Sequence, residues 1–354
     1  MRRILGVAAV MLAVAACGGS ASPQAASHRV TPTPYVYQPA TQARSELPAT
    51  PPRASTESRL AAFNCRVPLS HGVPGSGGFV SIPSGAFSSD PGSNVALDWT
   101  GAPVPASAPG MGPGPAMRTS SYGLSYDRAV GKWLPVYAAW VAPDGQTYAY
   151  PDYLAGGVRL VKVADGSITT MGPDSRWNVL DVEAEGVYAV RFDPQAPPAA
   201  GLWLLAAGKN PTQVVTGGYW DWVTTGYAYG FDAPSVPQGA PHPLLRLSLR
   251  DHTTVTWYQQ GERIPYLAGF DRDGSPIAIV APSNGSPGDP WQTALIPQPN
   301  QLNPILVASQ GAEPPVVRDS HGFWMEAGGL YFNEIGVGTY QVTVLAGQLG
   351  GGCA

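Results

Sequence analysis

The chain is poor in charge and in the residues that most often do chemistry. Charged residues are 12% of its 354 residues, about half the usual share for a soluble domain. The net charge is −4, with no basic block. A chain with so few clustered cations has little grip on a phosphate backbone, so no nucleic-acid partner is expected. Cysteine is scarce, at three residues, and histidine numbers five. None of His28, His71, His242, His252 and His321 stands at a His-x₃-His or His-Glu-x-x-His spacing. A zinc centre would therefore have to gather ligands from distant parts of the chain, and no metal is expected. Also missing are a Gly-x-Ser-x-Gly elbow, a Gly-x₄-Gly-Lys phosphate loop and a dinucleotide fingerprint, so no cofactor is expected. These absences leave open a catalytic site assembled from several separated segments.

At the amino end, Arg2 and Arg3 precede an apolar run from Ile4 to Ala16. That run is too short for an ordinary membrane-spanning helix but suits the apolar core of a secretory signal. Its end, Val14-Ala15-Ala16-Cys17, resembles the lipobox of bacterial lipoproteins. The resemblance implies removal of residues 1–16 and attachment of fatty-acyl chains such as palmitate at Cys17. The protein would then be extracytoplasmic and anchored to the cell membrane by lipid, which several acyl chains do stably. Residues 17–60 are Ser-, Ala-, Pro- and Thr-rich with almost no apolar periodicity. Such a segment cannot bury enough surface to offset its ordering entropy and reads as a tether with a reach of about 35–40 Å.

From residue 61 to 354 the pattern changes to short apolar runs. The stretch from Trp140 to Met171 is the clearest unit. Four β-branched or aromatic runs are joined there by Asp144-Gly145, a longer loop and Asp165-Gly166, the mark of successive hairpins. Glycines between the first two strands of such units recur at Gly85, Gly145, Gly186, Gly226, Gly274 and Gly328, at intervals of about 40 to 60 residues. A third strand recurs as Leu124 to Tyr126, Val158 to Val163, Leu202 to Leu205, Leu244 to Leu249, Thr293 to Ile296 and Tyr340 to Val344. Residues 101–117 form a Gly/Pro/Ala insertion that reads as a surface loop.

Four antiparallel strands per unit make a propeller blade, so the expected fold is an all-β, six-bladed β-propeller of four-stranded antiparallel blades. The last unit looks one strand short, because residues 348–354 are Gly-rich. The N-terminal strand, Cys65 to Leu69, is expected to join that last blade and close the ring, which removes exposed sheet edges. Six units closed in this way resemble the TolB-like propellers across residues 63–354. With Cys17 used in processing, Cys65 and Cys353 remain as one pair, and a disulfide between them would lock the closure in an oxidising compartment.

The candidates for chemistry each have a plainer reading. Asp271-Arg272-Asp273-Gly274-Ser275 has calcium-loop letters, but Pro282 stands where the bidentate acid is needed, and a hairpin turn explains the same residues. The aromatic run from Tyr219 to Phe231, with Asp221, would suit a sugar or peptide ligand, although alternation packs half of its rings between blades. If a ring is exposed at the channel mouth, it is Trp220 or Trp222. Trp140 and Trp324 hold comparable places elsewhere, and His321 with Glu326 and Asp319 is the polar cluster that could face the channel. The leading expectation is a non-catalytic binding or scaffolding module for an envelope protein or a cell-wall glycan. The alternative is a propeller enzyme or solute-binding protein with a small-molecule or carbohydrate site at the central channel.

Overall fold

A computed structural model describes residues 63–97, 122–153, 155–192, 200–224, 226–232, 243–259, 263–281, 290–308, 311–335 and 337–353. The signal run, Cys17, the tether with His28, the insertion at 101–117 and His242 lie outside the described residues.

Strands form on the β-branched and aromatic runs, one hairpin after another. β1 (Cys65–Ser70), β2 (Gly78–Ile82) and β3 (Ala86–Ser89) pair in chain order. β4 (Ser125–Asp127) and β5 (Lys132–Leu134) form a separate hairpin. β6 (Thr147–Pro151), β7 (Val158–Lys162) and β8 (Ile168–Met171) make a three-stranded sheet, extended by a single bridge between Val141 and Tyr148. Two four-stranded sheets follow: β9 (Trp177–Glu183), β10 (Gly186–Arg191), β11 (Leu202–Leu205) and β12 (Thr212–Val215), then β13 (Tyr219–Thr224), β14 (Tyr227–Phe231), β15 (Leu244–Ser248) and β16 (Thr254–Tyr258). Next come β17 (Arg263–Phe270), β18 (Pro276–Ala281), β19 (Trp291–Leu295) and β20 (Asn303–Ala308), and after them β21 (Glu313–Arg318), β22 (Gly322–Glu326), β23 (Leu330–Glu334) and β24 (Gly338–Thr343). These last two antiparallel sets touch through one parallel pairing, Gly269 with Val316. Finally β25 (Gln348–Leu349) returns to pair with β1.

The Asp-Gly turns behave as their chemistry requires. The Asp144 and Asp165 carboxylates accept from the backbone N–H two residues on, each at 2.9 Å, while Gly145 and Gly166 take the positive φ that side-chain-bearing residues resist. Apolar side chains on alternate positions then pack sheet against sheet. Val179, Val182 and Val187 share a core with Ala149 and Val158 of the preceding sheet. Trp220 and Ala228 share one with Tyr188 and Leu202, and Ile279 and Leu306 share one with Phe323 and Met325. The last sheet and the first also share a core, in which Trp324, Leu330 and Phe332 meet Val67, Leu69, Val80 and Ile82. An all-β chain of successive antiparallel sheets, each stacked face to face on the next, is a β-propeller.

Several strand assignments differ from the sequence reading. The N-terminal strand does not enter the last sheet. That sheet is complete without it, because Glu313–Arg318 supplies a first strand that Pro314-Pro315 disguised in the sequence. Instead β1 keeps β2 and β3 as partners, and the C-terminal Gln348–Leu349 pair joins it on the other side. Gly328 consequently lies between the second and third strands of its sheet, and Gly85 between β2 and β3. Leu124 to Tyr126, read as a third strand of the first unit, belongs to the separate β4–β5 hairpin. The first run of the Trp140–Met171 unit shrinks to one bridge, since a 3₁₀ turn ends at Trp140 and the Pro143–Gly145 turn begins directly after.

Cys65 and Cys353 form a disulfide, with Cα atoms 5.6 Å apart and 288 residues of sequence separation. In the chain-entropy model a cross-link this long removes up to about 5–6 kcal/mol of unfolded-state freedom. Reduction, or Cys353→Ser, is expected to lower the melting temperature by roughly 10 °C, read by calorimetry with and without reductant. Peptide mapping should find both cysteines in one cross-linked fragment.

Candidate functional site

Two adjoining features at one end of the sheets form the candidate site. The first is a pocket of about 720 Å³, lined by His71, Tyr137, Pro314, Glu326, Gly328 and Gln348, with Ala346 and Gly347. Its size is that of an ordinary small-ligand cleft. Strand register explains why residues so far apart in the chain meet there. Leu69 and Ser70 pair with Leu349 and Gln348, and Glu313 pairs with Glu326. The pocket therefore sits where β1 and β22 end and where β25 and β21 begin. Glu326 is buried, at 5% exposure. Its Oε1 accepts the N–H groups of Gly328 and Gly329 at 3.0 and 3.2 Å, which fixes the carboxylate at the β22–β23 turn.

The second feature is a run of aromatic rings that starts at the pocket wall. Tyr137 stands edge-to-face with Trp140 at a centroid distance of 5.2 Å, and Trp140 with Tyr122 at 5.2 Å. Tyr122 meets Tyr153 at 6.2 Å, and Tyr153 meets Phe192 at 5.3 Å. Tyr137 is 44% exposed, and the other four rings are half-buried. The rings are held in place by polar contacts and by close backbone approach. The Tyr153 hydroxyl donates to Asn178 Oδ1 at 2.8 Å, and the Tyr122 hydroxyl donates to the Pro151 carbonyl at 3.4 Å. Gly123, at φ +82°, lets the Tyr137 ring lie against the backbone, since a Cβ there would come within 2.8 Å of the ring. Burial, with Tyr137 nearby, pushes the Tyr153 phenol up to about 12. Burial, with Tyr153 and Asp152 nearby, pushes Tyr122 higher still. Both phenols thus stay protonated and act as hydrogen-bond donors at neutral pH. Beside them the Arg159 guanidinium donates twice to Asp152 Oδ2, at 2.7 and 2.9 Å.

The residues singled out in the sequence are scattered by the fold. Trp140 belongs to the aromatic run and Glu326 to the pocket. Trp220 is 2% exposed and donates its indole N–H to the Gly217 carbonyl at 2.8 Å, so it is a core residue. Trp222 is half-buried against Phe231. Trp324 is fully buried, and its indole N–H donates to Asp319 Oδ2 at 2.5 Å. His321 and Glu326 do not converge: they lie at opposite ends of β22, about 16 Å apart along a strand of this length. His321 instead stacks on Phe63 at 4.1 Å and stands 3.5 Å from Asp319 Oδ1. Asp319, His321 and Cys353 bring ligand-type atoms within 4.8 Å of one another, but the Cys353 sulfur is committed to the disulfide. The Asp271–Ser275 segment is a turn, with its Gly274 N–H bonded to the Asp271 carbonyl, and its Asp271 carboxylate pairs with Arg318 at 3.0 Å.

Asp221 occupies a β-bulge between Trp220 and Trp222. It is open to water yet walled in by surrounding protein, whose burial effect pushes its carboxyl up to about 6. Across from it in the same hairpin, Gly230 must lack a side chain, because a Cβ would meet the Tyr219 carbonyl at 2.1 Å. A second acidic group lies at the far end of β9 from the aromatic run. Burial, reinforced by the neighbouring Glu183 carboxylate, holds Asp181 well above the usual carboxylate range.

His71, Tyr137, Gln348 and Pro314 were not identified as site residues from sequence. They come from four distant segments and share no spacing. The one available signal was the aromatic density from Tyr122 to Trp140, which includes Tyr126, Trp133 and Tyr137.

The Asp181 shift has a stability consequence. The folded state keeps a proton that the unfolded chain releases above its ordinary Asp pKa. This group's contribution is therefore complete at low pH and is lost as pH rises through the raised value. Asp181→Asn keeps an oxygen for the Val182 N–H that Asp181 Oδ1 accepts at 2.9 Å. The substitution is expected to stabilise the fold at neutral pH, with the gain shrinking as pH falls toward about 4. Denaturant melts at a series of pH values test this, and a gain that grew on acidification would contradict it.

No protein-family model matches the chain, and no curated protein matches it. Among solved structures it is similar to a chain of the nidogen/laminin complex, at 9% identity and TM-score 0.40, covering 79% of this chain and 94% of that one. It is similar to dihydro-heme d1 dehydrogenase NirN in complex with DHE, at 14% identity and TM-score 0.44, covering 81% and 64%. It is also similar to TolB from Acinetobacter baumannii, at 10% identity and TM-score 0.40, covering 76% and 61%. The chain thus matches less than two thirds of the length of the latter two.

Proposed function

We propose that this protein is a membrane-anchored, extracytoplasmic lipoprotein whose propeller is a non-catalytic binding module for a component of the cell envelope. In this reading the blades close into a ring. Six sheets of three or four strands act as blades, the β4–β5 hairpin sits between the first and second of them, and the chain ends meet at the disulfide. The shared core between last and first sheets supports that closure. Signal cleavage before Cys17 and acylation of its sulfur would place the module outside the membrane on its tether.

The observation that carries the binding reading is the pocket that opens beside the exposed Tyr137, from which a run of half-buried aromatic rings continues. Large rings with polar tips recur where a protein holds a partner. Glu326 is tied down by two backbone N–H groups, and His321 stands at the other end of its strand. The cluster of His321, Glu326 and Asp319 named from the sequence is therefore divided, with only Glu326 at the pocket, which favours holding over catalysis there.

Full-length protein is expected to partition into the detergent phase of a membrane extract, and Cys17→Ala to shift it to the aqueous phase. Cross-linking in intact cells should then join the anchored protein to a discrete envelope component through the His71–Gln348 rim. An aqueous wild type would contradict the anchor, and no cross-link above background would contradict the binding module.

A further inference from the structure

We infer that the pocket and the aromatic run form one extended cleft for a neutral polysaccharide chain, with one sugar seated in the pocket and the following sugars laid along the rings. This rests on the binding-module reading and names its ligand class.

Continuity is the first argument. Tyr137 both lines the pocket and opens the ring series, so pocket and strip share a wall. From Tyr137 through Trp140, Tyr122 and Tyr153 to Phe192, centroid separations stay between 5.2 and 6.2 Å. That spacing is close to the repeat of one sugar along an extended chain. A compact solute would need only the pocket, whereas a linear polymer makes use of both features.

Chemistry is the second argument. Among the described residues that line the pocket there is no lysine or arginine, which makes them a poor receptor for a phosphate or sulfate ester. It offers the Gln348 amide, the His71 imidazole, the Tyr137 phenol and the Glu326 carboxylate, a mixture of donors and acceptors suited to hydroxyl groups. The exposed Tyr137 ring, with the uncovered parts of the half-buried rings beyond it, supplies apolar area for the C–H faces of pyranose rings. A folded protein partner would instead be expected to meet a patch whose core is depleted of charged groups. Here polar and aromatic groups alternate within the cleft itself, with Asp152 and Arg159 beside Tyr122 and Tyr153.

Preorganisation is the third argument. Tyr153 is held by Asn178, Tyr122 by the Pro151 carbonyl, Tyr137 is seated against Gly123, and Glu326 is clamped by its turn. Rings held in this way lose little freedom when a ligand arrives, which favours a weakly interacting ligand such as a sugar chain.

The test is calorimetric titration of the intact soluble chain, disulfide formed, with β-1,4-linked oligomers of glucose and of N-acetylglucosamine of increasing length, followed in parallel by tryptophan fluorescence. Affinity is expected to rise with oligomer length and then level off when the cleft is filled. Tyr137→Ala and Trp140→Ala should each weaken binding about tenfold. Phe87→Ala, at an exposed position on β3, should leave it unchanged. Because Trp140 also packs against the core, near-ultraviolet circular dichroism checks its variant, and the more exposed Tyr137→Ser provides the same readout should that variant misfold. No binding to either oligomer series, or equal affinity in Tyr137→Ala and wild type, would overturn the inference. Capture of an envelope protein in cells alongside blank sugar titrations would sink the glycan assignment while leaving the binding module standing.

Discussion

One carboxylate ties the last described residues of this chain to its last sheet, at the point where the disulfide joins them to the first strand. The Asp319 side chain is only 7% exposed. Its Oδ1 accepts from the N–H groups of His321 and Gly322 at 2.7 and 3.2 Å, and its Oδ2 from the Trp324 indole at 2.5 Å and the Cys353 N–H at 2.9 Å. Hydrogen bonds to a charged acceptor are worth roughly twice neutral ones. Cys353 carries the disulfide to Cys65 at the start of β1. Phe63, just before that strand, packs on His321, Trp324 and Phe332. First strand, last sheet and final residues are thereby pinned at one place, and the core between Val67, Val80, Trp324 and Phe332 is sealed behind them.

That seam positions the candidate site, although the site lies at the other end of the same strands. β1 runs from the disulfide at Cys65 to the pocket at His71, and β22 runs from Gly322 beside Asp319 to Glu326 in the pocket. The registers of β1 with β25 and of β21 with β22 carry the constraint across the sheet. A slip of one residue in either pairing would turn alternate side chains to the other face and dismantle the pocket. The disulfide seam and the candidate pocket are thus separated along the strands, so the pocket residues need not also supply the seam's stability.

The repeated hairpins could be read from residue order because they rest on local chemistry: Asp-Gly turns, β-branched runs and a period of two. The cysteine pairing could also be read, since few cysteines were available to pair. The strand order at the seam could not. Pro314-Pro315 reads as a break, yet Glu313–Arg318 is a first strand, and Gln348–Leu349 is too short and too Gly-flanked to announce itself. The site was harder still. Trp140 and Glu326 were legible as an aromatic and an acid in plausible places. Their partners His71, Tyr137, Gln348 and Pro314 meet only through long-range register, which no spacing in one chain records. Trp220 and Trp324 looked equally promising, but alternation within their strands turns them into the core.

The most direct test of the seam is the stability of Asp319→Asn, measured by denaturant unfolding with the disulfide intact. An amide keeps one acceptor oxygen but loses the charge and presents N–H where the other oxygen accepted. A single cooperative transition weakened by about 3 kcal/mol is the predicted result. A loss below about 0.5 kcal/mol, the range of an ordinary surface substitution, would contradict the claim that this carboxylate anchors the seam between the last sheet and Cys353.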